Sequence, residues 1–154
     1  MTHYFLDSSA VVKRYVDEPG SLWIRRLFTS SLDHMILIAQ ITPVEASSAV
    51  IRRVREGTVD RLVVQELKQA FLIQLKRQYR LVSLTPQIIS QAQDLLEKYP
   101  LRAYDAVQLA SATTANDRLV AGEIAPLVFV SADKRLLQAA TAEGLVIEGP
   151  GVQD

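Results

Sequence analysis

A chain of 154 residues, 49% hydrophobic and 22% charged, has apolar mass for one compact core, so a single domain over 1–154 is expected. It has no cysteine, which excludes disulfides and thiolate metal sites and suits a reducing cytoplasm. Seventeen basic residues balance seventeen acidic ones, so the basic footprint common among nucleic-acid binders is absent on average. The opening MTHYFLD shows no secretory pattern, and apolar runs such as Met35–Ala39 are far too short to span a bilayer. A cytoplasmic protein with no membrane partner is expected.

Apolar runs bounded by turn signals alternate with helical patterns. Tyr4-Phe5-Leu6 reads as a short strand ending at Asp7, and Ser8 or Ser9 is placed to cap a helix over Ala10–Val16. Asp17-Glu18-Pro19-Gly20 stops that helix, and a second runs from about Ser21 to Phe28. Met35–Ile41 has the composition of a buried strand. Thr42-Pro43 then opens a helix, with Thr42 as cap and Ala46, Val50 and Val54 on one face, ending at Gly57. A longer helix starts at Thr58 with Val64, Leu67, Phe71 and Leu75 in a stripe. Leu81–Leu84 is the next strand, and Thr85-Pro86 repeats the cap-plus-proline start. Ile88, Ala92 and Leu95 form that helix's buried stripe before Pro100 breaks it. Another helix spans about Arg102 to Asn116, with Ala106, Leu109 and Ala110 inward. Leu127–Val130 is a strand, about Asp133 to Ala142 a helix, and Val146-Ile147 a last strand. This alternation implies parallel pairing in an α/β sandwich.

Four acids fall where such a fold places its ligands. Asp7 and Asp133 follow strands, Glu45 lies in the first turn after a strand, and Asp105 lies near a helix start. Open parallel sheets bind ligands beyond the carboxyl ends of their strands, where the strand order reverses. Four carboxylates converging there repel one another, and a hard divalent cation relieves the repulsion. Oxygen donors without cysteine or paired histidine favour Mg²⁺ or Mn²⁺ over zinc. Each acid taken singly also has a structural explanation. Asp7, Asp105 and Asp133 suit helix N-termini, and Thr42 with Glu45 has the spacing of a capping box. Setting the four aside leaves 17 basic residues against 13 acidic, a mildly cationic remainder compatible with RNA.

The order of these segments resembles the PIN-domain toxins of the VapC family. FLDSSAVVKRYVDEPGS is similar to the family's opening, ITPVEASSAVIRR to its second motif, LRAYDAVQLASA to its third and FVSADKRLLQAA to its fourth, so the likeness covers essentially the whole chain. Ser8 stands where Thr is commoner, and Leu136-Leu137 where an aromatic is frequent; no acid is lost. The resemblance implies a three-layer sandwich around a mostly parallel sheet. It also implies a Mg²⁺ or Mn²⁺ endoribonuclease acting as the toxin of a type II toxin–antitoxin pair, inhibited by a cognate VapB-type antitoxin.

On that basis Asp7 and Asp105 are expected to be central metal ligands and Asp133 to complete the shell. Glu45 is expected to bind metal or orient water, and Ser9 and Ser131 either to hydrogen-bond the carboxylates or to cap helices. Arg52, Arg53 and Arg55 follow Glu45 on one helix and are candidates for an RNA backbone, although a solvated helix face is the commoner explanation. His3 and His34 read as incidental. Surplus apolar surface on the second to fourth helices, with Trp23, Val63, Ala70, Phe71 and Ile73, suggests an antitoxin's amphipathic helix or a homodimer. Two rival readings stay open: a PIN-like module that binds RNA or protein without cleaving, and a nuclease of the same fold acting on DNA. A phosphoacceptor domain is disfavoured because Asp7 has no acidic neighbour, Leu84 leads to Thr85-Pro86 and no matching Lys is present; separately, no Gly-rich nucleotide loop or Walker motif is found.

Overall fold

The computed structural model describes residues 1–29 and 33–152. Five strands form one sheet: β1 (Thr2–Leu6), β2 (His34–Ala39), β3 (Tyr79–Val82), β4 (Val128–Val130) and β5 (Val146–Glu148). Their order is β3-β2-β1-β4-β5 and every pairing is parallel. The helices are α1 (Ser8–Tyr15), α2 (Ser21–Arg26), α3 (Thr42–Arg55), α4 (Leu62–Gln74), α5 (Pro86–Lys98), α6 (Ala103–Ala121) and α7 (Lys134–Ala142).

The chain steps outward from β1 to β3, then returns to the other side of β1 for β4 and β5. Right-handed crossovers therefore place α1–α4 on one face and α5–α7 on the other. Side-chain alternation along the strands feeds both cores. Leu6, Ile36 and Ile38 pack with Val11, Ile24, Val50, Leu67 and Phe71 beneath the first four helices. Phe5, Leu37 and Phe129 pack with Ile88, Leu95, Leu109 and Leu136 on the opposite face. Phe5 and Phe129 stack at 5.8 Å across the β1–β4 pair. The reversal of strand order lies between β1 and β4, so the crevice at their carboxyl ends is the place for a ligand.

Most expected elements form, with shifts that have local causes. The cap of α1 is Asp7, whose carboxylate accepts from the Ala10 N–H, not Ser8 or Ser9. Thr58 closes α3 through its hydroxyl bond to the Arg53 carbonyl. The next helix therefore starts only at Leu62, where Asp60 accepts from its N–H. At the sheet edge β3 slips back to Tyr79, which is buried and pairs with Ile36, while Leu81 and Leu84 are exposed. α6 runs past Asn116 to Ala121, because the Asn116 side chain accepts from the Leu127 N–H instead of ending the helix. Among the described residues no helix is long and apolar enough to cross a membrane.

Candidate active site

Asp7 leaves β1 at the reversal point, where its N–H donates to the Val130 carbonyl of β4. Its side chain is only 3% exposed. One carboxylate oxygen, Oδ1, accepts from Ser9 Oγ at 2.6 Å and from the Ala10 N–H at 2.9 Å. The other, Oδ2, accepts from Ser131 Oγ at 2.6 Å. Each serine commits its single proton to Asp7, and each then accepts a backbone N–H: Ser9 from Ala132, Ser131 from Asp133. Ser9 and Ser131 thus stitch the ends of β1 and β4 together around one carboxylate. Burial still outweighs all three donors, and the Asp7 carboxyl is pushed up to about 6, with the Asp105 charge adding to the rise. Among the described residues no cation pairs with it.

Glu45 lies one turn into α3 and is half-buried. The capping-box expectation fails here: Ile41 occupies the N-cap, no side chain caps the helix, and the Glu45 N–H donates to the Ile41 carbonyl. The Thr42 hydroxyl is fully buried and instead accepts from Gln108 Nε2 at 3.0 Å. The same Nε2 donates to Glu45 Oε1 at 2.7 Å, while Ser8 Oγ donates to Oε2 at 3.3 Å. Burial raises the Glu45 pKa most, these two donors lower it, and Asp105 raises it again.

Asp105, in the first turn of α6, is the electrostatic hub. It raises the pKa of both Asp7 and Glu45. Its own is raised by burial and by Asp133, and lowered by the Arg102 guanidinium and a backbone hydrogen bond from Arg102. Asp133 caps α7, with Oδ1 accepting from the Arg135 and Leu136 N–H groups. Asp7, Glu45 and Asp133 are therefore each coupled to Asp105 at the carboxyl edge of the sheet. Among the described residues no three Asp, Glu or His side chains already converge tightly enough to hold an ion as placed. The donor set nevertheless fits a hard divalent cation: all oxygen, mutually repelling, and including a buried carboxylate with no positive partner.

Two expectations about other residues change, those for Arg53 and Phe71. The guanidinium of Arg53 is occupied, at 3.1 Å from both Glu18 Oε2 and the Ala49 carbonyl. Arg52 is exposed, but seven residues along α3 from Glu45 it stands about 10 Å up the helix axis. Arg55 lines a separate cleft between α3 and α4 with Ile51, Val54 and Leu62. So Arg53 is committed inside the fold, while Arg52 and Arg55 stay exposed on α3. Phe71 is buried and cannot offer docking surface; Leu62, Leu72 and Ile73 of α4 are the exposed apolar residues there. His3 and His34 lie at the opposite, amino-terminal edge of the sheet.

Sequence reading missed Gln108. It sits inside the apolar stripe of α6, one turn after Asp105 and fully buried. A glutamine among inward alanines and leucines was the available signal, since a buried amide needs a polar partner. Its Oε1 is buried with no partner among the described residues.

Residues 4–142 match the PIN domain family. No curated protein matches the sequence. Among solved structures the chain is similar to FitAcB from Neisseria gonorrhoeae, with TM-score 0.64, 13% identity and coverage of 96% of this chain and 97% of that one. It is similar to VapBC2 from Rickettsia felis, solved bound to a DNA fragment from their promoter, at 0.64 and 12%, covering 96% and 98%. It also resembles VapC20 from Mycobacterium tuberculosis, a sarcin-ricin loop cleaving toxin, at 0.62 and 17%, covering 93% and 96%. At these identities the structural likeness speaks for a shared fold. With the all-parallel sheet, the acids at its reversal point and the match over residues 4–142, the chain belongs to the PIN-domain family.

Proposed function

We propose that this chain is a single PIN domain acting as a metal-dependent endoribonuclease, the toxin of a VapC-type toxin–antitoxin pair working in the cytoplasm. The observation that carries the reading is Asp7: a carboxylate almost fully removed from water, at the strand-order reversal, facing other acids and no cation. A structure that only needed stability would not keep it, because a buried unpaired charge costs several kcal/mol. PIN domains are nucleases that generally use divalent ions, which supports the same reading.

When bound, Mg²⁺ or Mn²⁺ supplies charge relief on the phosphate oxygens and a more acidic water. Asp7 and Asp105 are the central holding groups. Ser9 and Ser131 fix the Asp7 carboxylate so that both its oxygens are aimed before an ion arrives. Gln108 occupies Glu45 Oε1, leaving Oε2, held only by a long bond from Ser8, to take a proton from the attacking water or to complete the shell. Asp133 spends Oδ1 on capping α7 and keeps Oδ2 for the cleft.

A similar solved structure from Klebsiella pneumoniae is a toxin–antitoxin complex, which supports a cognate VapB-type antitoxin as partner. The cleft between α3 and α4 suits such a chain. It has a volume of about 580 Å³, an apolar floor at Ile51, Val54 and Val64, and Arg55, Arg61 and Lys68 at its rim. An amphipathic helix with acidic flanks complements that pattern. Self-association through the neighbouring Leu72 and Ile73 remains the other use of this surface.

The test is cleavage by purified protein of total RNA, and of a DNA of matching sequence, with Mg²⁺ or Mn²⁺ and then with EDTA. RNA cleavage abolished by EDTA is expected. Cleavage indifferent to EDTA contradicts the metal mechanism, cleavage of DNA alone contradicts the RNA assignment, and binding without cleavage under any metal returns the domain to a binding role.

A further inference from the structure

Arg102, Asp105, Asp133, Lys134 and Arg135 line one cavity of about 440 Å³, floored by Leu101. It abuts the acidic cluster through Asp105 and Asp133, and its remaining charges are all positive. Arg102, Lys134 and Arg135 are exposed, and among the described residues none of them forms an ion pair. The chain does tie up cations elsewhere: Lys13 and Arg53 share Glu18, and Arg25 pairs with Asp17.

Three cations gathered at two helix N-termini are an unusual placement, offset only in part by Asp133 capping α7 and by the attraction of Arg102 to Asp105. Arg102 is the N-cap of α6 and makes no side-chain capping bond, and Lys134 and Arg135 fill the first turn of α7, which carries no acid. Cations at the positive end of a helix are disfavoured, where an acid would add stability. Local rules broken this way are expected at functional sites. The problem they solve is electrostatic. A phosphodiester approaching four carboxylates is repelled, and a chain of zero net charge offers no global attraction. Attraction has to be local, and this wall is the basic surface that shares a cavity with the acids.

We infer that Arg102, Lys134 and Arg135 form a phosphate-binding wall that seats a polynucleotide backbone beside Asp105 and Asp133. The inference rests on the nuclease reading for its purpose, but it concerns binding and is tested apart from cleavage. The residues bind and position; they do not react. Arg102 reaches in from the α6 side and Lys134 and Arg135 from the α7 side, so successive phosphates are gripped on either side of the acids.

Binding is measured on the full chain in EDTA, by anisotropy of a fluorescein-labelled single-stranded RNA and of a hairpin RNA, across about 50–200 mM salt. The variant Arg102→Ala/Lys134→Ala/Arg135→Ala is expected to bind at least tenfold more weakly at low salt. Its slope of log Kd against log salt should shrink by about two, the value for three lost contacts to a single strand. Arg102→Lys/Arg135→Lys should keep the slope. The triple variant should melt no lower than the wild type, which separates lost binding from lost fold. A triple variant with wild-type affinity and slope overturns the wall, as does a loss carried instead by Arg52→Ala/Arg55→Ala. Cleaving wild type with an unaffected triple variant overturns the wall and leaves the nuclease reading. Salt-dependent binding through these three cations without cleavage under Mn²⁺ upholds the wall and overturns that reading.

Discussion

Asp7→Asn is expected to abolish RNA cleavage while making the metal-free protein more heat-stable. The two effects share one cause. Asp7 is buried with the Asp105 charge nearby, and burial above all pushes its carboxyl up to about 6 in the fold against 3.8 when unfolded. The folded state therefore holds this proton more tightly than the unfolded state. Stability from Asp7 is greatest at low pH and is lost as pH rises from about 4 through about 6. At neutral pH the ionised group costs the fold on the order of 3 kcal/mol. Asn removes that charge at nearly constant shape. Its oxygen keeps the acceptor role towards Ser9 and Ala10, and the Ser131 hydroxyl rotates to accept from the new amide. A rise in melting temperature of several degrees follows, since about 1 kcal/mol is worth about 2–4 °C in a chain of this size. The pH dependence between about 4 and 6 should flatten as well. Differential scanning calorimetry in EDTA at several pH values checks both, alongside an RNA cleavage assay. A variant that melts below wild type at pH 7, or that cleaves at a comparable rate, contradicts the role given to Asp7.

Gln108→Leu is expected to lower cleavage by about 10- to 100-fold, the usual effect of losing a group that orients a ligand. Leucine keeps the volume but removes the donor shared by Glu45 and Thr42. Glu45 then retains only the long bond from Ser8, and its carboxylate is free to turn. Stability should fall modestly. Two hydrogen bonds are lost and only one buried unpartnered atom, Oε1, goes with them, so a net loss on the order of 1–3 kcal/mol remains. The loss should appear largely as a higher Mn²⁺ concentration for half-maximal rate, which a packing defect alone would leave in place. Wild-type metal dependence in Gln108→Leu would show that Glu45 needs no such support.

How far this site was legible in the sequence depended on where each residue sits. The acids could be found because a parallel sheet sends its strand ends to one edge, and Asp7 directly follows β1 while Asp133 comes three residues after β4 ends. Their partners were harder. Ser9 and Ser131 are 122 residues apart, and only the β1–β4 pairing shows that they hold the same carboxylate. The cation wall was hidden by proximity of another kind. Arg52, Arg53 and Arg55 form a conspicuous run after Glu45, yet Arg53 is held by Glu18 and the Ala49 carbonyl. Arg102 and Lys134-Arg135 sit beside Asp105 and Asp133 in the chain but read as ordinary charged helix ends. Thr42 and Glu45 matched a capping box by spacing alone, and a buried glutamine on another helix took both side chains. Edge strand β3 was misplaced by two residues because its exposed Leu81 and Leu84 imitate a buried run.

The central claim, that these carboxylates form a divalent-cation site, is tested most directly by calorimetric titration of Mn²⁺ into the metal-free protein near pH 6. Two buffers of different ionisation enthalpy make proton release visible. Saturable binding with release of protons is expected, because Asp7 is about half protonated at that pH and must ionise to bind. Release should vanish near pH 8, and binding should be lost in Asp105→Asn. Absence of saturable binding, or binding that persists unchanged in both Asp7→Asn and Asp105→Asn, would contradict the account.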